Sequence, residues 1–278
     1  MAQLAWVGAT KLVNYRKASL LGAWYVAEYR IRAMLHWIQS IVAFGLGNPV
    51  LYLTSVGIGV GSLVDKNLGP GGIEGVGYLT FLAPALLASA SIQGAMDEAM
   101  FPIMQGFVWD KSFWAMNSTQ LTGRTIYYGV LIAAWVRCLL TVVLYEAILI
   151  LFGAISWGSV LPLAFSAMFA GMAFSALMGA ASAFIKQDDG FFAIIGRFVI
   201  TPMFMFSGTF YPLESLPGYL QWIGWISPLW HATNAGRALS YGLAVPAWLM
   251  LVHFAIMAVM LVVGLEVGAR QFNRRLAK

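Results

Sequence analysis

Two opposite charges, Arg137 and Glu146, stand inside one of the most apolar stretches of the chain. A charge at the centre of a lipid-embedded helix costs at least about 2.5–3.5 kcal/mol, so such residues are kept for a reason. Nine positions at about 100° each put the two on opposite faces of a helix. They cannot pair with each other, and each needs its own partner or a wet cavity. Two readings fit: a polar lining for a path through the protein, or a structural bond between helices.

Two further groups of side chains could recognise something. Between Asp97 and Thr125, charged residues (Asp97, Glu98, Asp110, Lys111, Arg124) alternate with Phe101, Met104, Phe107, Trp109, Phe113, Trp114 and Met116. An exposed apolar set of that size is a liability unless it docks on a partner or folds back onto a membrane surface. Farther on, Tyr211, Tyr219, Trp222, Trp225 and Trp230 crowd a segment broken by prolines at 212, 217 and 228. Such aromatics either stack on sugars or anchor at a membrane interface.

Other chemistry lacks its residues. No Gly-x4-Gly-Lys-Ser/Thr occurs to cradle ATP phosphates, and no His-Glu-x-x-His or Gly-x-Ser-x-Gly is present. His36, His231 and His253 are too scattered in sequence to suggest a metal site. The lone Cys138 excludes an internal disulfide and reads as a small buried hydrophobe. Asp97-Glu98 and Asp188-Asp189 read as solvated charges at helix ends. No catalytic residue, resident metal or cofactor is expected in this chain.

The elements that must position these groups follow from composition. Of 278 residues, 60% are hydrophobic and only 10% charged, against about 25% charged in soluble domains. That balance excludes a soluble enzyme and implies an all-α integral membrane protein. Six spans are expected, at about 37–64, 78–96, 126–152, 160–185, 191–210 and 247–267, with bends near Pro49, Pro84 and Pro202. Residues 1–36 form an arm, 37–268 the membrane domain and 269–278 a basic tail.

The basic residues orient the chain. Lys11, Arg16, Lys17, Arg30 and Arg32, with Lys111, Arg124, Lys186, Arg270, Arg274, Arg275 and Lys278, fall on one side, twelve of the sixteen Lys and Arg. Lys66 and Arg237 fall on the other, and Arg137 and Arg197 within spans. The positive-inside rule then puts both termini in the cytoplasm of a cell carrying the chain in its inner or plasma membrane. The net charge of +5 is thus a topology signal, and no nucleic-acid partner is expected.

Three features lie outside simple spans. In the arm, Leu20, Trp24, Ala27 and Ile31 recur at helical spacing opposite charged positions, predicting an amphipathic helix in the interface. The segment 211–246 predicts two short helices re-entering the outer leaflet between spans 5 and 6, each too short to cross. Ala167, Gly171, Ser175 and Gly179, and likewise Gly57 and Gly61, predict close helix-packing seams, either internal or between subunits.

The order of these parts, with Gly47-Asn-Pro-Val-Leu-Tyr-Leu53, Tyr78-Leu-Thr-Phe-Leu-Ala-Pro84, Phe206-Ser-Gly-Thr-Phe-Tyr-Pro212 and Pro228-Leu-Trp-His231, resembles the permease subunits of ABC-2-type exporters, in the NodJ-like group. The resemblance covers nearly the whole chain. It implies a partner ABC ATPase in two copies that binds ATP and Mg, and a second copy of this chain or a homologous permease. It also implies ATP-driven export of an amphipathic substrate, a lipid-linked glycan or glycolipid. Phe101, Met104, Phe107, Trp109 and Trp114 would lie in the ATPase-coupling loop, and Arg137, Glu146, Tyr211, Trp225 and Trp230 would line the translocation path. Export of hydrophobic drugs is the alternative within transport. An intramembrane transferase would need convergent acids or a nucleophile, and the sequence offers neither.

Overall fold

The computed structural model describes residues 15–69, 72–187 and 190–277. The expectations for residues 1–14, for the Asp188-Asp189 pair and for Lys278 lie outside the described residues, and so does the side chain of Leu20. Among the described residues the chain is helical, with only an isolated bridge between Ile73 and Val76. Five helices are long and apolar enough to cross a membrane: span 1 (Ile38–Asn67), span 2 (Tyr78–Trp109), span 3 (Gly123–Leu151), span 4 (Trp157–Ser182) and span 6 (Ala247–Leu276). The fifth segment, Phe191–Phe206, is shorter.

The boundaries differ from expectation where helices outrun the apolar core. Span 2 continues as helix through Met104 and as a wider π turn over Gln105–Trp109, so half of the expected 97–125 loop is helical. Asp110 then stops the chain, its Oδ1 accepting the Ser112 N–H at 2.9 Å, and a short helix Ser112–Asn117 follows. Span 6 likewise runs on to Leu276, so residues 269–276 are a helical extension rather than a separate tail. The fifth segment ends at Phe206 instead of Phe210, because Gly208 takes a left-handed φ of 71° that a helix cannot hold.

Spans 2, 3, 4 and 6 form the packed centre. Ala167, Gly171, Ser175 and Gly179 are all buried, and a Cβ at Gly171 would stand 2.5 Å from Ser91 Oγ and 2.7 Å from Cys138 Sγ. This seam is therefore internal, joining span 4 to spans 2 and 3. Ser91 seals it by donating to Ala167 O at 2.6 Å. Gly57 is also internal, because a Cβ there would overlap Leu79 at the start of span 2. Tyr127 of span 3, fully buried, donates to Ala176 O (2.7 Å) and Gly264 O (3.0 Å), bolting spans 3, 4 and 6 at one point.

The arm is one helix, Tyr15–Leu35, laid on span 3. Its contact face differs from the predicted stripe. Gly22, Val26, Ala27 and Met34 are buried, while Trp24 is exposed with Tyr25 and Tyr29. Small residues won the contact because Gly129 of span 3 admits the arm backbone: a Cβ there would lie 2.6 Å from Ala23 O. The exposed aromatics keep the geometry of headgroup anchors. Arg30 fixes the arm to span 2 through Glu98, at 2.9 Å with both side chains largely buried.

Candidate translocation cleft and coupling surface

Helix extensions gather the cations at one end of the bundle. Arg275 donates to Ala183 O (3.0 Å) and Ile185 O (2.6 Å), supplying donors to the end of span 4, and its guanidinium lies 4.0 Å over the Phe107 ring. Asn273 Oδ1 accepts the Arg124 N–H at 2.8 Å, so span 6 also caps span 3. Arg124 and Arg270 both reach Glu266. Arg124, Arg270, Arg274, Arg275 and Lys186, five of the basic residues that the topology argument grouped, thus lie at this end.

This basic end divides the five coupling-loop candidates. Met104 and Phe107 are buried; Phe107 centres an aromatic cluster with Phe113 at 5.1 Å and Phe272 at 4.7 Å. Neither offers a free surface, because the helix extending span 2 turns both inward against spans 3 and 6. Phe101, Trp109 and Trp114 are exposed. Trp114 borders a cavity of about 470 Å3 together with Phe184, Lys186, Gln271 and Arg274. A groove with an aromatic wall and a cationic floor suits a partner with acidic and apolar side chains. Phe184 was missed because it closes span 4 and reads as part of that apolar run.

The path candidates also separate. Arg137, at the mid-point of span 3, faces a cavity of about 250 Å3 with Asn48, Gln93, Asp97 and Thr141. A neighbouring cavity of about 280 Å3 shares Asn48, Gln93 and Tyr145 with it and adds Tyr52, Ser89 and Thr201. The two adjoin as one cleft between spans 1, 2 and 3 and the fifth segment, its polar groups Asn48, Gln93, Asp97, Arg137 and Thr201 set in a mainly apolar lining. Glu146 is buried on the far side of span 3 against the Ala164 backbone of span 4 and lines neither cavity. The opposite-face geometry holds, and it gives the two charges different surroundings.

A second cavity, of about 430 Å3, is almost wholly apolar and is lined by Phe174, Phe198, Met203, Trp222, Ile226 and Met260. The fifth segment separates it from the cleft beside Arg137: Thr201 and Phe204 face the cleft, whereas Phe198, Pro202 and Met203 face the apolar side. That wall carries a π turn at Gly196–Ile200 followed by Pro202, and such interruptions weaken a helix locally.

The end opposite the cations is closed by the re-entrant segment, as two short helices, Gly218–Ile226 and Pro228–Tyr241. Ser227 makes the break: its Oγ accepts the Leu229 N–H at 3.2 Å and the Ser207 hydroxyl at 2.7 Å, and Pro228 opens the second helix. Trp225 is exposed and Tyr211 half-buried, its hydroxyl donating to Met205 O at 2.9 Å. Trp230 is buried, packed on Trp225 at 4.6 Å and on His231 and His253. It is a packing residue of the hairpin, because Pro228 directs the second helix into the bundle.

Two features here were not visible from sequence spacing. His231 and His253, 22 positions apart, meet at 2.8 Å between their Nδ1 atoms and tie the second short helix to span 6. Arg237, placed above on the side opposite most of the basic residues, is buried; it donates to Gly208 O at 2.8 Å and to Phe81 O at 3.3 Å, with its guanidinium 3.6 Å over the Phe81 ring. No group of three or more potential metal ligands occurs among the described residues.

Residues 122–241, from the cap of span 3 to the end of the second short helix, match the ABC-2 type transporter family. Over 257 residues the chain is 28% identical to Nodulation protein J of Rhizobium leguminosarum bv. viciae, covering 91% of this chain and 95% of that protein. Nodulation protein J of Rhizobium meliloti (strain 1021) is 27% identical over 221 residues, 78% of this chain and 81% of its own length. The inner membrane transport permease YadH of Escherichia coli (strain K12) is 25% identical over 211 residues, covering 74% and 77%. With the apolar helices and the re-entrant hairpin, these matches make the chain similar to ABC-2-type transporter permeases and support its reading as a permease subunit of the NodJ-like group.

Proposed function

We propose that this permease is the membrane half of an exporter that moves an amphipathic substrate, a lipid-linked glycan or glycolipid, out of the cytoplasm or inner leaflet. The observation that carries the reading is the pairing of a cleft that carries Arg137, Asp97, Gln93 and Asn48 with an almost wholly apolar cavity across the short, interrupted fifth segment. An amphiphile needs both surfaces, and displacing one weak helix would join them. Two copies of the chain, or one with a homologous permease, pair with two ATPase subunits that bind ATP and Mg. The ATPases dock at the basic end, on the groove bordered by Trp114 and Phe184 and on the exposed Trp109 and Phe101. Nucleotide-driven closure there is passed to spans 2, 4 and 6, which share the aromatic cluster and the Arg275 cap. Both termini are cytoplasmic and the membrane is the inner or plasma membrane, supported by the shared end of the cations.

The test is transport in inverted vesicles holding the chain and its partner ATPase, loaded from outside with a radiolabelled lipid-linked oligosaccharide. ATP-dependent accumulation, lost with a hydrolysis-deficient ATPase, is the expected result. Accumulation of a cationic hydrophobic dye but not of the glycolipid would replace this substrate class with a drug-like one.

A further inference from the structure

Arg137 is a cation at the mid-point of span 3 that forms no ion pair with the acids around it. Asp97, in the same cleft, accepts from Gln93 Nε2 at 2.6 Å, and Glu98 holds Arg30 at 2.9 Å. Among the described residues Arg137 has no ion pair, and its buried NH1 has no hydrogen-bond acceptor. The cleft beside it supplies neutral donors: the Asn48 amide is exposed and Tyr145 carries a hydroxyl, whereas the Thr141 hydroxyl already donates to Arg137 O at 3.0 Å. A cation in low dielectric with unsatisfied N–H groups seeks an anionic oxygen acceptor, and a guanidinium fork suits phosphate or carboxylate.

We propose that the cleft at Arg137 binds the anionic headgroup, a phosphate ester, of an amphiphile whose chains lie against the apolar exterior of span 1. Phe44 and Leu51 are exposed on that span, close to the cleft residues Gly45, Asn48 and Pro49. The inference deepens the exporter reading by giving its substrate a charge. The phosphate could belong to the cargo or to a resident phospholipid, and binding can be measured without transport.

The probe is a fluorescent short-chain phosphatidic acid, titrated by anisotropy into the purified chain in neutral detergent, with the matching fluorescent diacylglycerol as the phosphate-free comparison. Arg137→Gln is expected to weaken phosphatidic acid binding roughly ten- to hundredfold, the loss of one charge-assisted bond. Diacylglycerol binding should not change, Arg137→Lys should retain part of the affinity, and Arg197→Gln, on an exposed cation outside the cleft, should retain all of it. Unchanged phosphatidic acid binding in Arg137→Gln, or equal losses for both lipids in variants that elute as the wild type does, overturns the proposal. In vesicles carrying the partner ATPase, ATP-dependent movement of the probe between leaflets marks it as cargo. Binding without movement marks a resident headgroup and counts against the export of phosphate amphiphiles while leaving the site standing.

Discussion

Arg237→Leu probes whether a buried cation holds the re-entrant hairpin closed. The guanidinium donates a charge-assisted bond to Gly208 O at 2.8 Å, about 1.5–3 kcal/mol. It also lies 3.6 Å over the Phe81 ring, a contact of about 2 kcal/mol when desolvated. Relief of the cation's own burial offsets part of the loss, leaving about 2 kcal/mol against the closed hairpin. That is an increase of about thirtyfold in the open population. Thr209, adjacent to the broken bond and fully buried, is the reporter. In a Cys138→Ala background, Thr209→Cys should react with a water-soluble maleimide about thirtyfold faster when Arg237 is Leu, with Arg237→Lys in between. Equal labelling rates in all three would show that Arg237 does not hold the hairpin and would refute the energetic assignment.

Three other outcomes follow from the packing. Trp114→Glu should release the partner ATPase in co-purification while leaving thermal unfolding in detergent near wild type, whereas Phe107→Glu should unfold the basic end, because it places a charge in the Phe113–Phe272 cluster. Gly171→Leu should prevent stable insertion, read as protease-sensitive aggregate, since even its Cβ would collide with Ser91 and Cys138. Tyr127→Phe should destabilise by about 0.5–1.5 kcal/mol in a detergent unfolding assay, the net value of a hydrogen bond whose two acceptors are helix carbonyls.

Hydropathy carried the helical architecture, because a bilayer imposes length on an apolar segment more strictly than water does. The prolines that break residues 211–246 were equally legible, since Pro228 acts locally. Burial at the ends of the bundle was not. Phe107 and Trp230 read as exposed aromatics because they sit beside charges and prolines, yet helix extension and hairpin docking turn them inward. Charge counting gave Arg237 a side and no burial, since nothing in its neighbours announces that Gly208 O and Phe81 O wait for it. The His231–His253 pair depends on how the second short helix meets span 6, a tertiary fact with no sequence period. Arg137 and Glu146 were correctly set on opposite faces by helix geometry, but only the neighbouring helices reveal that one faces a cleft and the other span 4.

Coupling of ATP hydrolysis to this chain is the most direct test of its place in a transporter. Vanadate-sensitive ATP turnover should be measured for the purified chain alone, for the partner ATPase alone, and for the two co-reconstituted in vesicles with and without a lipid-linked oligosaccharide. The lone chain should show no turnover, and the complex should hydrolyse ATP faster than the ATPase alone and faster still with the glycolipid. Turnover by the lone chain, or a partner rate indifferent to its presence, would contradict the assignment.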